Sequence, residues 1–235
     1  GGNEEANGVV VPATPYGPGI QPAPGTWTDG GGDGNAHLAF NVVGGGNTAD
    51  KAWRFVKTSD DPGANHTPGG AYAYRNAGPA PGNAYATNAC AELRGPPLTA
   101  AGSAVNLQYW ERHQIEYHWD AVAVEYSVNA GAWNDVPPPS NSPAQGCAAS
   151  DDTTGWEALG CTQENGCGYT TSKLAFTGPL AGGSTCNDFS TGATSPYAHR
   201  CHQITGLSPD DSIRFRWRFA SDALISCCRA TSAGV

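Results

Sequence analysis

Residues 106–133 read NLQYWERHQIEYHWDAVAVEYSVNAGAW, and this stretch decides the fold class. In its first half Leu107, Tyr109, Glu111 and His113 fall on one face of an extended chain, and Gln108, Trp110 and Arg112 fall on the other. In its second half Val122, Val124 and Tyr126 alternate with Ala121, Ala123, Glu125 and Ser127. Period-two alternation rich in aromatic and β-branched residues predicts two half-buried antiparallel strands, at 104–113 and 120–128. Asn129-Ala130-Gly131 supplies the turn that follows, because Asn and Gly tolerate positive φ.

Working outward, Ala36–Val43 and Ala52–Val56 predict earlier strands, and Ile213–Phe219 (IRFRWRF) predicts a late one. Arg214, Arg216 and Arg218 alternate along that late strand and so line one face. A salt-bridged outer sheet face is the ordinary reading of such a row, and an anion site the alternative. No segment has the period of a long amphipathic helix. Residues 76–89 form a Gly/Pro/Asn loop, and residues 134–210 read as largely irregular, held by disulfides where a core is lacking.

The order Tyr109-Trp110-Glu111-Arg112, Glu116, Trp119-Asp120, Val124-Glu125-Tyr126-Ser127 and Gly131-Ala132-Trp133 carries a resemblance. Cys90-Ala-Glu-Leu-Arg-Gly-Pro-Pro-Leu98 upstream and Ile213–Phe219 with Ser221-Asp222 downstream extend it. Together they resemble the jelly-roll (MAM-like) accessory domains of secreted bacterial proteins, such as immune-inhibitor-A-type metallopeptidases and multidomain adhesins. The resemblance implies an all-β, antiparallel jelly-roll β-sandwich with long disulfide-linked loops. It implies little about role, since this architecture hosts many. An accessory domain of a secreted peptidase is one such role. Domains of this kind often hold structural calcium, which makes Glu116, Asp120 and Asp222 candidate ligands.

Composition sets the context. The chain has 235 residues, with Gly 32, Pro 18, seven Trp and nine Tyr, which fits a folded core beneath long loops. Eight cysteines (Cys90, Cys147, Cys161, Cys167, Cys186, Cys201, Cys227 and Cys228) point to disulfides and an oxidising, extracellular or cell-surface location. The lack of Met and the Gly1-Gly2 start suggest a processed, secreted chain. The net charge of −9, with twelve basic residues, argues against nucleic acid or anionic membrane as partner. No apolar run approaches the roughly 20 residues of a membrane-spanning helix.

Residues 1–26 have the composition of an extended arm, with Pro at 12, 15, 18, 22 and 24, and residues 27–235 form the single sandwich domain. The arm holds a short β-prone plug, Val9-Val10-Val11. It cannot build a core of its own, so it docks either on its own domain or on a neighbour. At the other end, the resembling domains follow the Ser-Asp step with a Gly-Trp pair and an Asp-rich closing strand. This chain has ALISCCRATSAGV at 223–235, so the closing strand is expected to be missing or replaced. A sandwich short of a strand invites one from another chain. These two ends lead to the expectation of a non-enzymatic, secreted structural subunit of an extracellular fibre, a homopolymer built by arm or strand exchange. The alternative is an adhesion or carbohydrate-binding module of a larger secreted protein, with glycans as partners.

Specific chemistry is sparse. Asp29-Gly-Gly-Gly-Asp33-Gly-Asn35 offers oxygen ligands in a Gly-rich loop, as calcium requires, or it is an ordinary solvated turn. Zinc is disfavoured, because His113 and His118 show no HExxH pairing and the cysteines no CxxC spacing. Cys161–Cys167 and Cys186–Cys201 look like short disulfide loops, and the adjacent Cys227 and Cys228 suggest two different partners. No GxSxG elbow or serine triad motif is present, and paired acids at 60–61, 151–152 and 210–211 read as turn residues. Asn65-His66-Thr67 is a complete glycosylation sequon. Among the aromatics, Trp27, Trp53, Trp119, Trp133, Trp156, Tyr72, Tyr74 and Tyr85 include loop rings able to stack on sugars, whereas Trp53, Trp110 and Trp217 on strands read as core.

Overall fold

The computed structural model describes residues 27, 36–44, 51–57, 72–76, 85–113, 115, 119–140, 147, 156–158, 173–178, 197–221 and 231–234. The N-terminal arm, residues 1–26, lies outside them. The described secondary structure is all β. Its strands are β1 (Ala39–Gly44), β2 (Trp53–Lys57), β3 (Tyr72–Asn76), β4 (Cys90–Arg94), β5 (Leu98–Thr99), β6 (Ala104–Arg112) and β7 (Ala121–Val128). They continue with β8 (Asn134–Asp135), β9 (Trp156–Ala158), β10 (Leu174–Phe176), β11 (Ala198–Thr205), β12 (Ser212–Ala220) and β13 (Thr231–Gly234). All pairings are antiparallel.

Two sheets result. One runs β1-β4-β12-β7-β10-β9, with β5 added beside β12 and β8 beside β7; the other runs β11-β6-β13-β3-β2. Strand β12 anchors the first sheet. Ile213, Phe215, Trp217 and Phe219 point inward and are buried, while the arginines between them point outward. Inward residues of β4 and β7 (Ala91, Leu93, Val122 and Val124) flank them. The second sheet contributes Tyr109 and Ile204 to the same apolar cluster, along with Trp53 and Tyr74. The rings of Tyr109 and Trp217 meet edge to face across the layers, 5.4 Å apart. The Trp53 indole N–H donates to the Ala91 carbonyl, which ties β2 to β4. Each fully buried aliphatic or aromatic side chain adds roughly 1.5–3 kcal/mol.

Three features differ from the sequence reading. Strand β7 is buried on both faces, because Ala121 and Ala123 form a second small cluster with Cys90, Ala175 and Ala220. Residues 134–210 are not merely irregular. They contain the eight-residue β11, whose inward His and Arg residues break the apolar alternation that would have marked it. The closing strand is not missing: β13 inserts between β3 and β6, pairing Ala233 with Tyr74 on one side and Glu111 on the other.

The turn after β7 also differs in detail. Asn129 (φ 51) and Ala130 (φ 57) take the left-handed conformation, and the Gly131 N–H closes the turn onto the Val128 carbonyl at 2.8 Å. Gly131 is needed for proximity, since a Cβ there would lie 3.0 Å from the Val128 oxygen. An alanine in the left-handed region costs roughly 1–2 kcal/mol, partly offset by the greater flexibility of glycine when unfolded. Ala130→Gly should therefore raise stability by about 0.5–1 kcal/mol. Gly131→Ala should lower it by about 1 kcal/mol or more through steric crowding. Urea denaturation of both variants reads the two signs.

Candidate functional site

The densest set of chemically capable side chains lies between the sheets, where β6 and β11 face inward. Their register pairs Tyr109 with Arg200, Glu111 with Ala198 and Leu107 with His202. Arg200 approaches Glu111 Oε1 through Nε at 2.8 Å and Nη2 at 2.7 Å. The other carboxylate oxygen of Glu111 meets His113 Nδ1 at 2.8 Å. Burial by itself would raise the Glu111 carboxyl, but His113 and Arg200 outweigh it and hold the group below its usual range. Phe176, from the opposite sheet, lies under the guanidinium at 4.6 Å, a cation–π contact.

Beside this pair sits a second relay. His202 Nδ1 is 2.7 Å from the Pro137 carbonyl, which can only accept, so Nδ1 carries the proton. Nε2 of the neutral ring then accepts from the Tyr109 hydroxyl at 3.0 Å. Burial pushes His202 down to about 4, with help from the Arg200 charge and against the Pro137 bond and Glu111. The Tyr109 hydroxyl is raised well above its ordinary value, first by burial and then by Glu111, so it stays a donor. Trp156 closes over His202, with ring centres 5.2 Å apart. Tyrosine, histidine, glutamate and arginine could together move protons. Arg200 and His202 have no exposed surface, however, so this cluster organises the interior and meets no reactant.

The outer face of the first sheet carries the charge ladder expected from the arginine row. Arg216 binds Glu125 at 2.6 Å and Glu92 at 2.5 Å; Arg218 and Lys173 also reach Glu125, at 3.1 and 2.7 Å. Arg94 pairs with Glu92, and Lys173 with Asp135. Burial would raise the Glu125 carboxyl, but the Lys173 hydrogen bond and the charges of Arg218, Lys173 and Arg216 hold it low. The Trp133 ring lies beneath Arg216 at 4.3 Å and Arg94 at 5.5 Å. The salt-bridged reading of Arg216 and Arg218 therefore stands.

Of the expected calcium ligands only Asp120 falls within the described residues. It is fully buried, and its carboxylate takes the Tyr85 hydroxyl, an internal role. No cluster of metal-ligating side chains occurs among the described residues. Asp29, Asp33, Asn35, Glu116 and Asp222 lie outside them, as do Asn65, His118 and Val9, Val10 and Val11. Cys201 bonds to Cys147, with Cα atoms 5.7 Å apart, which replaces the expected Cys186–Cys201 loop. Cys90 is also disulfide-bonded. Cys161, Cys167, Cys186, Cys227 and Cys228 lie outside the described residues. Among the rings named as sugar platforms, Trp53, Tyr74 and Tyr85 are core, and Trp27 and Trp156 pack against it. Trp119 is 51% exposed. Trp110, expected in the core, is instead half-buried on the outer side of β6.

Sequence reasoning named Glu111 and His113 but missed Arg200 and His202, since only the β6–β11 register brings them together. No family model, curated protein or solved structure matches the chain.

The depressed His202 makes stability depend on pH. Between pH 6.5 and about 4 the unfolded chain binds a proton at this residue that the folded chain refuses. Stability is fully present above 6.5 and falls as pH drops through that window, by roughly 3 kcal/mol in all. His202→Gln should lose the part of the slope above pH 4.5, in urea titrations from pH 7 to 4. The charge pair gives a second expectation. Arg200→Met leaves Glu111 buried without its guanidinium and should cost about 3–5 kcal/mol. Adding Glu111→Leu should recover much of that loss, as a double-mutant cycle would read directly.

Proposed function

We propose that this chain is a non-enzymatic, secreted structural subunit: a jelly-roll sandwich braced by disulfides that assembles into an extracellular fibre through its N-terminal arm. The observation that carries the reading is closure in cis. Strand β13 occupies the slot between β3 and β6, so the sheet does not call on the arm to complete it. The apolar plug Val9–Val11 is thereby left for a neighbouring subunit, joined by strand addition at a sheet edge. The earlier form of the idea, a groove left by a missing strand, is replaced by this edge-addition form.

Two further observations favour a scaffold. The buried ionisable groups of the core are matched to one another, as in Arg200–Glu111–His113 and Tyr109–His202. The Cys147–Cys201 bridge fits an oxidising extracellular setting. In this reading, calcium at the Asp29–Asn35 loop serves to stiffen loops and takes no part in chemistry.

The test is electron microscopy and light scattering of the full chain beside a variant carrying Val9→Asp, Val10→Asp and Val11→Asp. Filaments are expected in the first sample and folded monomers in the second, with unchanged circular dichroism. Monomers in both samples would remove the fibre reading. Filaments in both would remove the arm from it.

A further inference from the structure

The register that turns Tyr109 and Arg200 inward turns their neighbours outward. Trp110 lies opposite His199, Gln108 opposite Cys201, and Asn106 opposite Gln203, with Thr205 at the end of the row. Asn106, Gln108 and Thr205 are exposed, and Trp110, His199 and Gln203 are half-exposed. The rings of Trp110 and His199 lie 4.8 Å apart at one end of the stripe. On the other side of Trp110 the paired residue is Gly234 of β13, which has no side chain to crowd the indole. At about 3.4 Å per residue the stripe from residue 104 to residue 110 is roughly 20 Å long.

Its chemistry is specific in one respect. From Ala104 to Trp110, and across to Thr205, the outward positions hold amides, a hydroxyl and rings, and no carboxylate, ammonium or guanidinium. This is a neutral strip on a chain of net charge −9. An anionic polymer would need fixed cations there, and a basic one would need carboxylates. Side-chain amides offer donor and acceptor together, which matches a hydroxyl group that is also both. An indole offers an apolar face to the C–H side of a sugar ring. The Cys147–Cys201 bridge is anchored in the middle of the same face and holds β11 to the segment that follows Pro137–Ser140. The platform is therefore stiff before any ligand arrives.

We infer that this outer β6–β11 face is a binding site for an uncharged glycan chain, lying along the strands with one sugar stacked on Trp110. This goes beyond a structural subunit: it gives the module something to hold. The test uses the full chain on immobilised cellulose, xylan, mannan and β-1,3-glucan, with heparin as the anionic control. Affinity electrophoresis and retention assays provide the readout. Binding to at least one neutral polysaccharide and not to heparin is expected. Trp110→Ala should weaken that binding about tenfold or more, the scale of one lost stacking contact. Gln108→Ala, at an exposed position that the fold does not need, should also weaken it. Trp119→Ala, which removes the exposed indole outside the stripe, should leave it unchanged. Failure to bind any of the four neutral polysaccharides would overturn the inference. So would heparin-selective binding, or a loss confined to Trp119→Ala.

Discussion

An arginine with no exposed surface is the constraint on which this fold turns. Arg200 sits between two sheets, where an unpaired guanidinium would cost several kcal/mol after relaxation. Glu111 is its partner on the adjacent strand, and the two meet only in the observed β6–β11 register. A slip of one residue would turn every side chain of β11 to the opposite face. It would bring His199 and Cys201 inward and send Arg200, His202 and Ile204 into solvent. The buried pair thus selects the register against its nearest competitor. The same selection lines up Trp110 with His199 and Asn106 with Gln203 on the outside. The inner charge pair is what aligns the outer face.

The first sheet solves a related problem in the opposite place. Strand β12 puts its apolar residues into the core and its arginines outside, and β4 and β7 answer with Glu92 and Glu125. These pairs are mostly buried, since Arg216 is covered by Trp133 and Glu125 by Lys173. They lie between the weak exposed ion pair and the costly interior one. The network spans β4, β12, β7, β8 and the residue preceding β10, so it cross-links strands that share few apolar contacts on that side.

Legibility followed the physics of each element. Strands β6, β7 and β12 were readable because their alternation reports burial on one face and water or charge on the other. Strand β11 was not readable. Its inward positions are Ala198, Arg200, His202 and Ile204, and two of those four residue types ordinarily signal exposure. Their burial is tolerable only because Glu111, Tyr109 and Pro137 satisfy them, and these partners lie far away in sequence. Strand β13 was misread for a different reason. Thr-Ser-Ala-Gly has almost no strand propensity, so its place between β3 and β6 is set by tertiary pairing. The candidate chemistry was legible only in halves: one member of each buried pair stood out, and its partner did not.

Sheet edges determine what such a module can join. An exposed edge strand offers backbone groups to any extended chain, and β11 ends the second sheet. Its outer side is occupied by the chain itself. The Pro137 carbonyl accepts from His202, and the Ser140 N–H donates to the Cys201 carbonyl. Three consecutive prolines at 137–139 bring no N–H of their own, so the covering segment satisfies β11 without becoming a new edge. The Cys147–Cys201 bridge then fastens the cover on its far side. Strand addition at β11 would have to displace a covalently held segment, which directs any joining of subunits to the opposite end of the sheet or to the other sheet. The same cover leaves the outward side chains of β6 accessible. One side of the molecule is thereby closed to assembly and open to ligand, a division of surfaces that a subunit needs if it is to bind while polymerised.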